Sequence, residues 1–170
     1  KRELFAAYSE AGYKIKVYDY PIMQTAEKKR YLRDFDIEEL LFRKPIAVAD
    51  DKTGAFYRDK VILITGGGGS IGSELCRQLA RCSIGRLIIF DIYENNAYEI
   101  QQELLRDCPE IKDRMDVLIG SVRDEQRVAD VFEKYRPDFV FHAAAHKHVP
   151  LMEESPCEAV KNNIFGTLNV

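Results

Sequence analysis

Val61-Ile62-Leu63-Ile64-Thr65-Gly66-Gly67-Gly68-Gly69-Ser70-Ile71-Gly72-Ser73-Glu74-Leu75 decides the reading of the whole chain. A run of β-branched and apolar residues enters a cluster of glycines. An amphipathic segment follows, with Ile71, Leu75 and Leu79 predicted on one helical face. The order is strand, tight turn, helix N-terminus. Exposed N–H groups and the positive end of a helix dipole then face whatever lies over the turn, which suits a pyrophosphate. Glycine lets the backbone bend sharply and lets a ligand approach with no Cβ in its way. The spacing fits two registers: Gly67-x-Gly69-x-x-Gly72 and Gly66-x-x-Gly69-x-x-Gly72. The second, preceded by Thr65, leaves Ser70 to add a hydroxyl to the phosphate. A merely flexible glycine loop is the alternative, but strand and helix flank these glycines as the motif requires.

One strand later, Arg86-Leu87-Ile88-Ile89-Phe90-Asp91 reads as a buried parallel strand ending in an acid. Asp91 lies about twenty residues past the last glycine, where a carboxylate accepts hydrogen bonds from an adenosine ribose. A 2′-phosphate would meet a like charge there, and no Arg or Lys lies between Ile92 and Gln102 to neutralise it. The expected cofactor is therefore NAD rather than NADP. A helix cap or turn residue is the alternative role for Asp91.

The 170 residues, 46% hydrophobic and 31% charged, suit one sizeable globular domain with an appendage. A net charge of −3 gives no basic footprint, so no nucleic-acid partner is expected. Cys76, Cys82, Cys108 and Cys157 show no C-x-x-C spacing, and the first two read as packing residues. Reduced thiols in a cytoplasmic protein are the expectation. No apolar run approaches the length of a membrane span.

Along the chain, residues 2–11 read as a helix capped near Gly12, and Tyr13 to Tyr20 as a short half-exposed strand. Together they look like the tail of a preceding domain. Pro21 to Arg33 reads as a surface connection. Asp36-Ile37-Glu38-Glu39 reads as a capping box for a helix over Ile37 to Arg43, and residues 46–59 show no strong period. From Lys60 onward strands and helices alternate: helix 70–82, strand 86–91, helix 94–107, strand 116–120, helix 124–135 and strand 138–142. A last helix opens near Pro156 and is expected to continue past Val170. The expected fold class is α/β, the first mononucleotide-binding half of a Rossmann-like, doubly wound parallel sheet in spatial order 3-2-1-4, with right-handed crossovers. Chemistry should collect in the loops at the carboxyl ends of the strands: Gly66–Gly72, Asp91–Asn95, Ser121–Asp124 and Ala143–Pro150.

The stretch from Thr65 to Gln78 resembles extended short-chain dehydrogenase/reductases of bacterial surface-polysaccharide biosynthesis, the CapD-like nucleotide-sugar 4,6-dehydratases and epimerases. The resemblance continues through Phe141-His142-Ala143-Ala144-Ala145-His146-Lys147-His148-Val149-Pro150-Leu151-Met152-Glu153 and through residues 160–170. Upstream, residues 36–45 are similar to that family's linker, so the likeness covers about residues 31–170. It implies that Gly66, Gly69 and Gly72 bind the pyrophosphate and Asp91 the ribose. It also implies that Ala143, Ala144 and Ala145 line the nicotinamide-side ribose, and that Asn163 is the family's structural asparagine. The family's Asp-Val-Arg-Asp is here Ser121-Val122-Arg123-Asp124, so the adenine meets a hydroxyl in place of an acid, with the Val122 backbone still able to read the base.

Lys147 is expected to place a cation near cofactor or substrate phosphates; a solvated surface lysine is the alternative. Leu151 and Met152 read as packing residues. The histidines 142, 146 and 148 lack metal-ligand spacing, and no metal is expected. The resemblance implies a UDP-sugar substrate, UDP-N-acetylglucosamine first, and 4,6-dehydration. A 4- or 5-epimerase or 4-dehydrogenase is the second reading, and a non-enzymatic NAD-binding module the third. Catalytic acid–base groups are expected beyond Val170. A homo-oligomer and a membrane-anchored longer parent are further expectations. The expected domain layout is residues 1–20 from a preceding Rossmann-like domain, 21–59 a linker, and 60–170 the cofactor domain.

Overall fold

Alternating strands and helices build the larger part of the molecule. The computed structural model describes residues 8, 10, 11, 16–18, 32–34 and 51–170. Two compact units divide at Ala47 and Val48. In the first, Tyr8 and Glu10 are helical, and β1 (Lys16–Tyr18) pairs antiparallel with β2 (Leu32–Asp34), Val17 opposite Arg33. Backbone pairing thus places a strand where the polar composition of residues 21–33 suggested only a connection. The predicted helix over Ile37 to Arg43 lies outside the described residues.

The second unit opens with α1 (Asp51–Phe56), in a stretch without a readable period. Then follow β3 (Val61–Thr65), α2 (Ser70–Ala80), β4 (Arg86–Asp91), α3 (Glu94–Asp107), β5 (Met115–Ile119), α4 (Glu125–Tyr135) and β6 (Phe139–His142). The four strands form a parallel sheet in the order β5-β4-β3-β6, the expected 3-2-1-4. Their boundaries fall within a residue or two of those predicted. Central β3 and β4 are buried on both faces, which is why they read as unbroken apolar runs. Edge strand β6 alternates between half-buried and exposed residues.

Because successive strand residues point to opposite faces, β3 and β4 feed two cores. Ile62, Ile64, Leu87 and Ile89 pack with Cys76, Leu79, Ile100 and Leu104 of α2 and α3. Leu63, Ile88 and Phe90 pack on the other side with Val122, Val128 and Val131. Cys76 and Cys82 are buried packing residues, as expected. Ile71 is not on the inner face: it is 65% exposed, and α2 buries Gly72, Ser73, Cys76, Leu79 and Ala80 instead. At about 100° per residue, Ile71 lies about 140° around the helix from Cys76, the centre of that buried set.

After β6 the chain makes α5 (Val149–Glu154), which sequence periodicity did not reveal, and then α6 (Pro156–Ala159), opened by Pro156 as predicted. A π-helical turn over Val160–Phe165 follows, and then α7 (Gly166–Asn169). Leu151, expected to pack, is 64% exposed, because α5 buries none of its residues; Met152 is half-buried. No helix among the described residues is long and apolar enough to cross a membrane.

Candidate cofactor site

A cleft of about 240 Å³ opens at the carboxyl ends of β3, β4, β5 and β6, where the strand order reverses. The glycine turn forms one wall. Gly66 stands at φ +68°, and a Cβ on it would come 2.7 Å from the Ala144 nitrogen and 2.8 Å from the Ala143 carbonyl. At Gly72 a Cβ would overlap the Gly66 carbonyl oxygen, so helix and turn can close only without a side chain there. Gly69 differs: its Cβ position meets only the Gly66 oxygen, at 3.2 Å, and the residue lines the cleft. Gly66 and Gly72 serve the fold's own close approaches, whereas Gly69 keeps the cleft open.

Gly69 is also the N-cap of α2, with no side-chain cap and no acidic residue in the first turn. The first intrahelical bond runs from the Ser73 N–H to the Gly69 carbonyl at 2.8 Å. The N–H groups of Ser70, Ile71 and Gly72 therefore have no partner within the helix, and its dipole meets no neutralising acid in that turn. Exposed Ser70 and Ile71 sit at this end of the helix, outside the cleft lining.

Asp91 closes the second wall and is 6% exposed. Its Oδ2 accepts the Gly68 N–H and its Oδ1 the Tyr93 N–H, both at 2.8 Å. Each carboxylate oxygen keeps a lone pair for a further donor. Ser121 and Val122 line the far end. The Ser121 Oγ accepts the Arg123 N–H at 3.2 Å, which leaves its own proton free to donate. Val122 is buried, and Asn169 donates from Nδ2 to its carbonyl at 2.9 Å.

Ala143, Ala144 and Ala145 form the third wall. Asn163 stands behind it: Oδ1 accepts the His146 N–H at 2.8 Å, and Nδ2 donates to the His146 carbonyl at 2.7 Å. Asn162 donates from Nδ2 to the Ala144 carbonyl at 3.4 Å. Thr65 lies beneath the cleft, 1% exposed, with Oγ1 2.7 Å from His142 Nδ1. Lys147 is exposed and outside the lining.

The structure thus gathers Gly66, Gly69, Asp91, Ser121, Val122 and Ala143–Ala145 around one cleft. Thr65, Gly72 and Asn163 stand behind its walls. Ile92, Tyr93 and His146 also line the cleft, inside loops the sequence named but with no binding role read for them; Asn96, Gly120 and Asn162 line it from outside those loops and were missed. Asn96 had a readable signal, since it falls one helical position past the loop named for Asp91. Among the described residues, no three His, Cys, Asp or Glu side chains form a metal-holding group.

The residues fit a dinucleotide. Gly69, the uncapped N-cap of α2, lines one wall, a buried carboxylate with spare lone pairs sits at the next, and small side chains line the third. Residues 62–170 match the family described as polysaccharide biosynthesis protein. The chain is 42% identical over 139 residues to the capsular polysaccharide biosynthesis protein CapD of Staphylococcus aureus, covering 82% of this chain and 23% of that one. It is 37% identical over 115 residues to a UDP-N-acetylglucosamine 4,6-dehydratase (inverting) of Campylobacter jejuni, covering 67% of this chain and 32% of that one. The structure is similar to that of Pen from Bacillus thuringiensis, with a TM-score of 0.60 at 39% identity over 68% of this chain and 33% of that one. It is also similar to a UDP-glucose-4-epimerase from Stenotrophomonas maltophila with bound NAD, with a TM-score of 0.57 at 26% identity over 65% of this chain and 32% of that one. The chain therefore spans about a quarter to a third of the length of the relatives it matches, and it belongs to the polysaccharide biosynthesis protein family of extended short-chain dehydrogenase/reductases.

Proposed function

We propose that this chain is the NAD-binding part of a nucleotide-sugar 4,6-dehydratase acting on a UDP-N-acetylhexosamine, UDP-N-acetylglucosamine first, in the assembly of a surface polysaccharide. The observation that carries this reading is the cleft that joins the uncapped N-terminus of α2, the Asp91 carboxylate and the alanine wall. Likeness to the Campylobacter dehydratase and to CapD favours the reaction and its setting.

In this reading the Ser70, Ile71 and Gly72 N–H groups hold the pyrophosphate, and Asp91 accepts from the adenosine ribose hydroxyls. Ser121 and the Val122 backbone border the adenine. Ala143–Ala145 leave room for the nicotinamide-side ribose, and exposed Lys147, two residues beyond them, supplies a cation to cofactor or substrate phosphates. Bound there, NAD supplies reversible hydride transfer at a sugar carbon, chemistry that 4,6-dehydration and 4-epimerisation share. What the chain's own residues contribute is orientation: the start of α2, the Asp91 carboxylate and the alanine wall would each hold one part of the cofactor. In this reading residues 60–170 form the cofactor domain, and the expected linker over 21–59 is shortened, because β2 within it pairs with β1 in the preceding unit. The working protein is cytoplasmic or attached to the cytoplasmic membrane face, and oligomeric.

A second reading is a 4-epimerase. It is favoured by 36% identity over 67% of this chain to a UDP-glucose 4-epimerase of Rickettsia prowazekii. The mass of the product made from UDP-N-acetylglucosamine by the protein that carries this chain separates the two. Loss of one water supports the dehydratase; an unchanged mass with a new anomeric NMR signal supports the epimerase. Bound NAD with no product points to another sugar nucleotide or to a non-catalytic module.

A further inference from the structure

One string of hydrogen bonds joins the strand that feeds the glycine turn to the helix behind the alanine wall. Thr65 ends β3 directly beside His142, which ends β6. The Thr65 Oγ1 lies 2.7 Å from His142 Nδ1, and the other ring nitrogen, Nε2, lies 3.1 Å from Thr167 Oγ1. Thr167 in turn donates to the Asn163 carbonyl at 2.8 Å, the usual back-bond of a helical threonine.

The protons along this string can be assigned from its last member. A carbonyl only accepts, so the single hydroxyl proton of Thr167 is committed to Asn163. Thr167 must then accept from His142, which places the ring proton on Nε2. Nδ1 is left bare and accepts the Thr65 O–H. Desolvation lowers the His142 pKa, in keeping with a neutral ring. Asn163 sits within the π-helical turn and clamps both backbone groups of His146, the residue that follows the alanine wall.

We propose that His142 is a positioning residue of the cofactor cleft. As the neutral Nε2–H tautomer it ties Thr65 of the glycine-turn strand to Thr167, and thereby holds the Asn163 turn against the Ala143–His146 wall. The effect on cofactor binding rests on the dinucleotide reading above; the tautomer and the clamp do not.

The test uses the protein with ¹⁵N-labelled histidine and the isosteric variants Thr65→Val and Thr167→Val. The expected ring signature of His142 is a protonated Nε2 and an acceptor Nδ1. The opposite tautomer, or a fast average of the two, overturns the proposal. In Thr167→Val the His146 amide should exchange with solvent faster than in the wild type, and Thr167→Ser should restore it; unchanged exchange overturns the clamp. For NAD affinity, each valine variant should weaken binding about 5-fold, and the double variant no more than about 10-fold, because the string acts as one unit. Losses that multiply in the double variant, or no loss at all, overturn the positioning role. Absence of NAD binding by the wild type overturns the dinucleotide reading instead, and the ring signature and His146 exchange still decide the string.

Discussion

The carboxylate of Asp91 accepts the backbone N–H of Gly68 at 2.8 Å, so the acid that ends β4 also pins the glycine turn that follows β3. A second bond, from the Tyr93 N–H, fixes the start of α3. Asp91 therefore has a structural task whether or not a ribose is present. Asp91→Ala should cost about 1.5–3 kcal/mol of stability, the range for hydrogen bonds to a charged group. It should also weaken NAD more than NADP. Calorimetry on both dinucleotides checks this, and equal binding of the two by the wild type would contradict Asp91 as the selector.

Gly69 and Gly72 should separate by phenotype. Gly69→Val projects a side chain into the cleft, and its Cβ meets only the Gly66 oxygen, at 3.2 Å, so the protein should lose NAD with a far smaller fall in melting temperature than Gly72→Ala. Gly72→Ala drives a Cβ into the Gly66 carbonyl, so thermal unfolding should drop along with binding. Thermal melts and dinucleotide titrations on both variants check the distinction. A Gly69→Val protein that keeps its NAD would show that the pyrophosphate lies elsewhere.

The four thiols should react in a set order. Cys157 is exposed, whereas Cys76, Cys82 and Cys108 are buried. Burial pushes the Cys76 pKa up to about 12 and also raises that of Cys82. Alkylation of the native protein followed by peptide mass mapping should therefore label Cys157 first, with the other three protected until denaturant is added. Early labelling of Cys76 would contradict the packing of α2 on the sheet.

Acidification should weaken the fold through His142. Its folded pKa lies below the ordinary value of 6.5, because desolvation opposes the charged ring. The unfolded chain thus takes up the proton first. The stabilising preference is intact above about pH 6.5 and is lost as pH falls from there through the folded pKa. Denaturant unfolding between about pH 5 and 6.5 should show a smaller loss for His142→Gln than for the wild type. Exposed carboxylates such as Glu74 and Glu158, whose pKa values are lowered first by side-chain hydrogen bonds from Gln78 and Lys161 and then by neighbouring cations, titrate below this window. Equal slopes for the two proteins would contradict the desolvated ring.

The sheet was legible because each strand from Val61 to His142 carries an apolar run and each intervening helix a 3.6-residue period. Parallel pairing with crossovers then follows. Asp91 and the glycines were legible because their chemistry is local to a few adjacent residues. The inner face of α2 was misread because Ile71 is apolar yet starts the helix on its outer side. The π-turn at Val160–Phe165 was invisible, since its sequence differs little from that of an ordinary helix. The tie from Thr65 through His142 to Thr167 depends on the β3–β6 register, a pairing of distant segments that no local pattern encodes.

A dinucleotide bound between the glycine turn, Asp91 and the alanine wall would touch residues from three separate loops. Titration of the ¹⁵N-labelled protein with NAD, followed through its backbone amide resonances, tests that placement most directly. Saturable shifts are expected at Gly69, Ser70, Ile71, Gly72, Asp91 and Ala143–Ala145, with the amides of α4 little moved. No saturable shift, or shifts confined to residues away from these three walls, would contradict it.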